Sequence, residues 1–270
     1  MVKVSVLMPI KGPALWLSEC LTSLEQQTFD DWNLIVVIHG HCENAQQLLD
    51  ACVFPVVLMN APDSFSLAEV LNLGLGRCDG EYVARFDCDD ITFPNRLSLQ
   101  ANYLDANPDV ALVGSAALEI NESGELVGYR SVPGNPVDVY KRLRWRNAII
   151  HPSAMFRRTA VVELGGYNKY CAYAEDYELW LRLQKTWNIA SLEIPLIEYR
   201  VHRHQLSRTY LLDSATMCLA KSARVSLASS NNESTLIAKA RFFYGLLGCA
   251  SENLADPISR ENLQKNMHPC

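Results

Sequence analysis

Three aspartates, Asp87, Asp89 and Asp90, lie within four positions of the stretch RFDCDDITFPNRL, directly after the apolar run EYVARF. Like charges a few ångströms apart repel by about 4 kcal/mol at an effective dielectric near 20, so such a cluster needs a compensating partner. Carboxylates at i, i+2 spacing suit Mg²⁺ or Mn²⁺, which prefer hard oxygen ligands. The structural alternative is that Asp90 and Thr92 help to start a helix at Pro94. That alternative leaves Asp87 and Asp89 unexplained, and the sequence favours a divalent cation site.

Two further segments carry titratable side chains. The stretch YAEDYELWLRL places Glu175 and Asp176 where a helix would begin, which helix termini favour for structural reasons alone. A carboxylate there could act as a general base if it faced the acidic cluster. The stretch YRVHRHQLSR contains Arg200, His202 and His204. These groups could neutralise phosphate or complete a metal site, and the alternative is a solvated basic loop.

The composition narrows the class of protein. A chain of 270 residues with a net charge of −6 can form one large domain or two small ones, and it lacks the basic balance of a nucleic-acid-binding protein. Its nine cysteines include no CxxC pair, which favours reduced thiols. The N-terminus does not read as a signal peptide, and no apolar run approaches the roughly 18 residues of a membrane-spanning helix. We therefore expect a cytoplasmic protein without a transmembrane segment.

The first 115 residues alternate between apolar runs of strand length and segments of helical periodicity. The pattern predicts strands at 2–9, 33–38, 56–59, 81–86 and 110–114, and helices at 15–27, 43–52, 67–77 and 94–107. Such alternation is typical of right-handed βαβ units in a mostly parallel sheet. Ligands bind such sheets at the carboxyl ends of the strands, which is where the acidic cluster would lie.

The pattern loosens after residue 115. We predict a hairpin turned at 122–124, helices at 137–145 and 175–186, strands at 149–157 and 194–201, and two helices beyond about residue 211.

The order and spacing of these segments resemble the inverting, nucleotide-sugar-dependent glycosyltransferases of family 2, which have the GT-A fold. The matching stretches are VSVLMPIKG, LSECLTSLEQQTFDDWNLIVV, LAEVLNLGL, GEYVARFDCDDITFPNRLSLQ, NPDVALVG, HPSAMFRR, LGGY, AEDYELWLRL and YRVHRHQLS. The resemblance implies an α/β GT-A domain with a mixed sheet over residues 1–208. Within it, residues 1–115 would bind the nucleotide sugar and 116–208 the acceptor, and residues 209–270 would form a C-terminal helical extension.

The resemblance also implies roles for individual acids. Asp87 and Asp89 fall on the family's DxD motif, which holds Mn²⁺ or Mg²⁺ against the nucleotide diphosphate. Asp176 falls on the catalytic base. His202 lies where GT-A enzymes often carry a histidine near the metal or the diphosphate, and His204 competes for that position.

Other positions match the family's nucleotide side. Pro9, Ile10 and His39 would line the nucleotide base and ribose, and Arg96 of PNRL would support the metal loop. One departure concerns the acidic DDGS-like turn that usually follows the second strand. This chain has Ile38-His39-Gly40-His41 there, without a carboxylate, which leaves the choice of nucleotide open.

The implied activity is metal-dependent transfer of a sugar from a UDP-sugar to a glycan or lipid-linked acceptor in surface polysaccharide or lipopolysaccharide assembly. The C-terminal helices would pack on the domain, on a second copy in a homodimer, or against the inner face of the membrane as a peripheral contact.

Three other classes of protein compete with the interpretation as a glycosyltransferase. The absent acidic turn motivates a non-catalytic nucleotide-sugar-binding protein of the same fold. A DxD phosphatase is disfavoured because its motif normally follows the first strand, and here the motif follows the fourth. A dinucleotide oxidoreductase is disfavoured because no G-x-G-x-x-G follows the first strand.

Overall fold

The computed structural model describes residues 2–42, 44–171, 173–203 and 205. The strands within these ranges are β1 (Val4–Lys11), β2 (Trp32–His39), β3 (Val56–Ala61), β4 (Tyr82–Arg85), β5 (Ile91–Thr92), β6 (Val110–Ile120), β7 (Leu126–Arg130), β8 (Met155–Arg157) and β9 (Asn188–Arg200). The helices are α1 (Leu17–Glu25), α2 (Ala45–Asp50), α3 (Leu67–Leu75), α4 (Arg96–Ala106), α5 (Pro136–Leu143), α6 (Arg158–Glu163) and α7 (Glu175–Leu183).

The strands form one mixed sheet in the order β3-β2-β1-β4-β8-β6-β9-β5, with β7 paired to β6. The pairs within β3-β2-β1-β4 are parallel, whereas β8 runs antiparallel to both β4 and β6. The predicted α/β fold with a mixed sheet is confirmed. Strands β2 and β3 lie on one side of β1 in the sheet, and β4 lies on the other side. Open α/β sheets bind ligands at such a switch point in the strand order.

Each face of the sheet has its own apolar core, because successive side chains of a strand point to opposite faces. In β1, Val6 and Met8 are buried with α1 and α4 on one face. Leu7 is buried with α3 and α7 on the other. Helices therefore cover both faces of the sheet at β1, which explains the near-continuous apolar run of this strand.

Several predicted boundaries are wrong. Residues 149–157 do not form one strand: a 3₁₀ turn (His151–Ser153) precedes the short β8, since Pro152 has no N–H to donate to a ladder. Strand β9 begins at Asn188 instead of residue 194, and it accommodates Pro195 where its pairing with β6 shifts register. Helix α6 was not predicted.

The segment after the acidic cluster also differs from the expectation. Residues 91 and 92 form β5, which pairs with β9, and helix α4 starts at Arg96, two residues after Pro94. The idea that Asp90 starts this helix is wrong, because its carboxylate binds the backbone of β9 instead. The two helices predicted beyond residue 211, and the extension at 209–270, lie outside the described residues.

In the described part of the chain, no helix combines the length and the apolar character needed to cross a bilayer.

Candidate active site

The acidic cluster follows β4 at the carboxyl edge of the sheet. Asp87, Asp89 and Asp90 can each present a carboxylate oxygen within 4.8 Å of the others. Strand β4 pairs in parallel with β1 at the switch point, so the cluster lies at the same edge of the sheet as the loop that follows β1. The structure thus brings together the three acids that the sequence singled out.

Asp87 is paired with the buried cation of Arg85. Nη1 of Arg85 lies 2.5 Å from Oδ1 of Asp87, and Arg85 is only 2% exposed. Burial raises the pKa of Asp87, and the charge of Arg85 opposes that rise. Arg85 and Asp87 are two residues apart near the end of one strand, so their side chains lie on the same face.

Asp89 is paired with His202, which comes from the segment after β9. Nε2 of His202 lies 2.8 Å from Oδ2 of Asp89. The indole of Trp16 packs against the His202 ring at a centroid distance of 4.8 Å. The structure therefore places His202 beside the acidic cluster, whereas His204 lies outside the described residues.

Asp90 binds the backbone of the strand that ends beside it. The N–H of Arg200 donates to Oδ1 of Asp90 at 2.8 Å. Oδ2 of Asp90 is buried and contacts no hydrogen-bond donor among the described residues. Burial, followed by the charges of Asp89 and Asp87, raises the pKa of Asp90 well above its ordinary value. A buried carboxylate oxygen beside two further carboxylates fits a hard divalent cation.

The Arg200 guanidinium holds three elements together around the cluster. It donates to the Asp89 carbonyl at 2.9 Å and to the Glu19 carboxylate of α1 at 2.7 Å, and it lies over the Trp16 ring at 5.1 Å. Arg200 thereby fixes the approach of His202 to Asp89.

Arg96 supports the strand that leads to the cluster. Its Nη2 donates to the Arg85 carbonyl at 2.7 Å, and its Nε donates to Gln100 at 3.1 Å. Its guanidinium covers the Phe86 ring at 5.0 Å. Burial lowers the pKa of Arg96 to about 9, so it remains a cation at neutral pH. It contacts the backbone of the strand that precedes the acidic cluster, and among the described ion pairs it has none with the three carboxylates.

Asp176 lies in the first turn of α7, where both of its oxygens accept hydrogen bonds. The Asn147 amide donates to Oδ2 at 2.6 Å, and the N–H of Tyr177 donates to Oδ1 at 2.7 Å. Burial raises the pKa of Asp176, and these two bonds oppose the rise. Burial and the charge of Asp176 together raise the pKa of Glu175 to about 7.

Sequence reasoning missed Asn147, whose orientation is fixed. Its Oδ1 accepts the N–H of Ile149 at 3.2 Å, so its amide nitrogen must be the group that faces Asp176. An amide donor stabilises the ionised form of a carboxylate. Asn147 therefore both orients Asp176 and favours its charged, basic form.

Arg85 also links the two acidic sites. Its charge opposes the rise that burial causes in the pKa of Asp176 and Glu175 as well as in that of Asp87. The Nε of Arg85 has no hydrogen-bond acceptor among the described residues. Burial, with the Arg85 charge, lowers the pKa of His151 well below its usual value, so His151 is neutral.

Two hydrogen bonds join Asn72 of α3 to Tyr167, which follows the Gly165-Gly166 turn, and we call this pair the Asn72–Tyr167 clamp. The Asn72 side chain donates to the Tyr167 carbonyl and accepts from the Tyr167 N–H, both at 2.8 Å. The Tyr167 hydroxyl reaches Nε2 of His151 at 3.2 Å. Only the LGGY stretch hinted at this clamp in the sequence.

The predicted nucleotide-side residues lie at the carboxyl ends of β1 and β2. Pro9 and Ile10 pair with Val37 and Ile38. The Ile10 side chain is fully buried in the core, so a ligand could meet only its backbone. His39 is buried, and its Nε2 lies 2.9 Å from the Asp63 carbonyl.

Comparison with known proteins assigns a family to this arrangement. The family model described as "Glycosyl transferase family 2" matches residues 5–165. The amylovoran biosynthesis glycosyltransferase AmsE of Erwinia amylovora is 32% identical over 68% of this chain and 70% of the relative. A UDP-Gal:alpha-D-GlcNAc-diphosphoundecaprenol beta-1,3-galactosyltransferase of Escherichia coli is 28% identical over 76% of this chain and 77% of the relative.

Solved structures show the same fold. The crystal structure of S. aureus TarS 1-349 in complex with UDP-GlcNAc superposes with a TM-score of 0.71 at 15% identity, over 90% of this chain and 71% of that one. With the family model covering more than half of its length and a relative above 30% identity, the chain belongs to glycosyl transferase family 2 and is a glycosyltransferase.

Proposed function

We propose that this glycosyltransferase moves a sugar from a UDP-sugar to a hydroxyl of a glycan or lipid-linked acceptor in surface polysaccharide assembly. The observation that carries the proposal is the placement of two acidic sites around one buried cation, Arg85. The names of two relatives, which mention amylovoran biosynthesis and a diphosphoundecaprenol, support the setting. The UDP-GlcNAc complex of TarS supports the nucleotide.

Asp176 is proposed as the general base. It would take the proton of the acceptor hydroxyl while that oxygen forms a bond to the anomeric carbon. The bond from that carbon to the diphosphate breaks on the opposite side, and its electron pair leaves with the diphosphate, so the anomeric centre inverts. General-base assistance of this kind contributes about 10²–10⁴-fold in rate.

Asp87 and Asp89 are proposed to hold Mn²⁺ or Mg²⁺, with Asp90 and His202 beside them. When bound, the cation would stabilise the negative charge of the leaving diphosphate. His202 aligns the Asp89 carboxylate through the 2.8 Å contact. Arg200 keeps this histidine in place by binding both Asp89 and α1.

The turn after β2 lacks the carboxylate that is usual in the family, and the nearby side chain of Asp63 could replace it. Oδ1 of Asp63 lies 3.8 Å from the position that a Cβ on Gly40 would take, and the Asp63 backbone binds His39. We propose that Asp63, with Pro9, His39 and the Ile10 backbone, recognises the nucleotide base. A carboxylate accepts an N–H such as that of the uracil imide, which cytosine lacks.

A thermal-shift titration with UDP, GDP, CDP and dTDP, each with Mn²⁺ or EDTA, tests the donor site. A ligand at a hundredfold excess over its Kd adds about 2.7 kcal/mol of stability to the native state. We expect UDP to stabilise the protein only with Mn²⁺, and Asp89→Ala to remove the effect. Asp30→Ala, an exposed aspartate before β2, is the control and should respond like the wild type.

Asp63→Ala separates base recognition from metal binding. It should weaken UDP binding about tenfold while leaving the Mn²⁺ requirement unchanged. A wild-type protein that no nucleotide stabilises, with or without metal, would contradict the proposal.

A further inference from the structure

A cavity of about 690 Å³ lies between α3, the segment that follows the Gly165-Gly166 turn, and α7. Sites that hold a small molecule typically measure roughly 300–1,000 Å³. The side chains that could meet a ligand are Phe65 just before α3, Glu69 in its first turn, Asn168 and Lys169 after the glycine turn, and Glu178 and Arg182 on α7. We call this space the α3–α7 cavity.

The cavity lies on a different face of α7 from Asp176. An α-helix turns about 100° per residue, so Asp176 and Glu178, two positions apart, point in nearly opposite directions from the helix axis. Glu178 and Arg182, four positions apart, share one face. A ligand in the α3–α7 cavity would therefore bind apart from the carboxylate that is proposed as the base.

The wall of the cavity is held in place by hydrogen bonds of its own. Nε and Nη2 of Arg182 donate to the two carboxylate oxygens of Glu178, each at 2.8 Å. The same guanidinium donates to the Leu164 carbonyl at 2.8 Å and to the Gly166 carbonyl at 2.7 Å. The Asn72–Tyr167 clamp ties the turn to α3 as well. A preformed wall spares a ligand the entropic cost of ordering it.

Three polar side chains of the lining keep groups that can bind a ligand. Oδ1 of Asn168 accepts the N–H of Tyr170 at 3.1 Å, which leaves its amide nitrogen as a donor. Oε2 of Glu69 accepts both the N–H and the hydroxyl of Ser66, which leaves Oε1 as an acceptor. Lys169 is exposed and brings an ammonium group with three donors.

The charges of the lining sum to zero, which narrows the chemistry of the ligand. Glu69 and Glu178 supply two negative charges, and Lys169 and Arg182 supply two positive ones. Hydrogen bonds from Ser66, and also the charge of Lys169, lower the pKa of Glu69, so the opposite charges of Glu69 and Lys169 act on each other. A lining without net charge gives a phosphate or another ion no advantage over a neutral ligand.

Hydroxyl groups and an apolar face are what a neutral sugar ring presents. Each hydroxyl both donates and accepts, so sugar hydroxyls can pair with the donors of Asn168 and Lys169 and with the acceptor of Glu69. The half-buried ring of Phe65 offers an apolar surface against which the C–H face of a sugar can pack. Polar groups that fix orientation beside apolar surface are the usual composition of a small-molecule site.

We propose that the α3–α7 cavity is a second carbohydrate site, which binds a neutral sugar unit of a glycan apart from the unit that reacts. The sugar chemistry follows from the lining, whereas the glycan as the source of the sugar rests on the proposed function. A glycan held at two points binds more tightly than one held at a single point, because the second contact forms at a high effective concentration.

Saturation-transfer NMR of the full chain with neutral sugars, without donor or metal, tests the inference. The probes are glucose, galactose, N-acetylglucosamine and lactose, and we expect at least one to bind with a Kd below about 10 mM. Glucuronic acid adds a negative charge to the glucose ring and should bind at most about threefold more tightly than glucose. No saturable binding of any neutral sugar, or a larger advantage of the acid, would overturn the inference.

Two variants of the lining locate the bound sugar. Asn168→Ala/Lys169→Ala removes donors and should raise the Kd at least about tenfold, since one hydrogen bond contributes about fivefold. Leu73→Trp enlarges a half-buried side chain of the lining and should block the cavity. Urea unfolding checks that each variant is folded. A wild-type Kd in folded Asn168→Ala/Lys169→Ala would overturn the inference.

The matched control removes the same two residue types outside the lining. Lys141 and Asn188 are both exposed, on α5 and at the start of β9. Lys141→Ala/Asn188→Ala should change the Kd less than about twofold. Equal losses in this control and in Asn168→Ala/Lys169→Ala would contradict a site in the cavity.

Variants of the reaction centre separate this inference from the proposed function. Asp89→Ala and Asp176→Asn should bind the sugar like the wild type, because neither residue lines the cavity. Loss of sugar binding in either variant would assign the sugar to the reaction centre and overturn the second site. If Asp176→Asn transferred sugar at full rate while sugar binding followed the prediction, the proposed base would be wrong and the second site would stand.

Discussion

Burial raises the pKa of Asp87 and Asp90 in the acidic cluster and of Asp176 in the second site, but the partners of the acids at the two sites differ. Positive or potentially positive side chains contact two acids of the cluster: Arg85 contacts Asp87, and His202 contacts Asp89. Neutral amides contact Asp176: the side chain of Asn147 and the backbone N–H of Tyr177. Arg85 reaches Asp176 only through its field.

This difference suits two kinds of chemistry. A carboxylate that contacts a positive side chain can exchange that partner for another cation, as a metal ligand must. A carboxylate held by neutral amides keeps a fixed orientation with no charged partner to release, as a general base requires. The partners of the acids, more than the acids themselves, distinguish the proposed metal site from the proposed base.

The largest expected effect comes from removing the base. Asp176→Asn should lower the rate of transfer about 10³-fold, because the amide cannot accept the proton of the acceptor hydroxyl. Measurement of kcat with a defined donor and acceptor checks this. Asp138→Asn changes another acid in the first turn of a helix, α5, and should retain the wild-type rate. Full activity of Asp176→Asn would refute the base assignment.

Adding one methyl group at Gly166, next to the Asn72–Tyr167 clamp, should destabilise the protein. Gly166 has φ +73°, and a Cβ there would collide with Oδ1 of Asn72, so Gly166→Ala should lower the free energy of unfolding by about 3 kcal/mol or more from backbone strain and overpacking.

The neighbouring glycine provides the control. Gly165 has φ +82° and open space around it, so Gly165→Ala should show only the strain of about 1–2 kcal/mol. Urea unfolding of both variants measures the difference. Equal destabilisation would mean that the Asn72–Tyr167 clamp is not tightly packed.

Glu175 gives the Asp176 site a pH dependence of stability. Its pKa of about 7 in the folded protein exceeds the ordinary 4.5, so the folded state binds this proton more tightly than the unfolded state. Ionised Glu175 therefore destabilises the folded state. This destabilisation is absent below about pH 4.5, grows up to about pH 7, and is complete above it.

Glu175→Gln should remove this pH dependence. Relative to the wild type, the variant should gain up to about 3 kcal/mol between pH 4.5 and pH 8. Urea unfolding at the two pH values measures the gain, and Glu163→Gln, exposed in α6, should show none. A gain of the same size at both pH values would argue against a proton bound at Glu175.

A smaller effect is expected at Asn147. Asn147→Ala removes the donor that favours the charged form of Asp176, so it should lower kcat/KM about tenfold. It should also move the acid limb of the pH–rate profile to higher pH, since the pKa of the base rises. Asn188→Ala, which removes a similar 2.6 Å bond to Asp109 far from the site, should change neither. An unshifted acid limb would leave Asn147 with a structural role only.

Much of the fold and the acidic residues could be predicted because their signals are local. Buried strands such as β1 are short apolar runs, and Asp87 and Asp89 follow the fourth of them within a few residues. The partners of these acids are not local. Asn147 lies 29 residues before Asp176, and His202 lies 113 residues after Asp89, so only the three-dimensional structure brings them together.

The failed boundaries have a related cause. The apolar run at 149–157 has the composition of a strand, but Pro152 and the Ser153 side chain, which binds the Ser115 backbone, impose a 3₁₀ turn. Strand β9 starts six residues early because pairing with β6 overrides the weak propensity of its first residues. Tertiary pairing sets the element boundaries in such cases, and the periodicity of the sequence carries no signal of this pairing.

The most direct test of the division between metal site and base is calorimetric titration of UDP in the presence of Mn²⁺. It should be run side by side on the wild type, Asp89→Ala and Asp176→Asn. We predict that Asp176→Asn binds UDP within about threefold of the wild type, and that Asp89→Ala loses at least about 100-fold in affinity, since removing one charged ligand of a cation costs several kcal/mol. Wild-type affinity in Asp89→Ala, or loss of binding in Asp176→Asn alone, would contradict it.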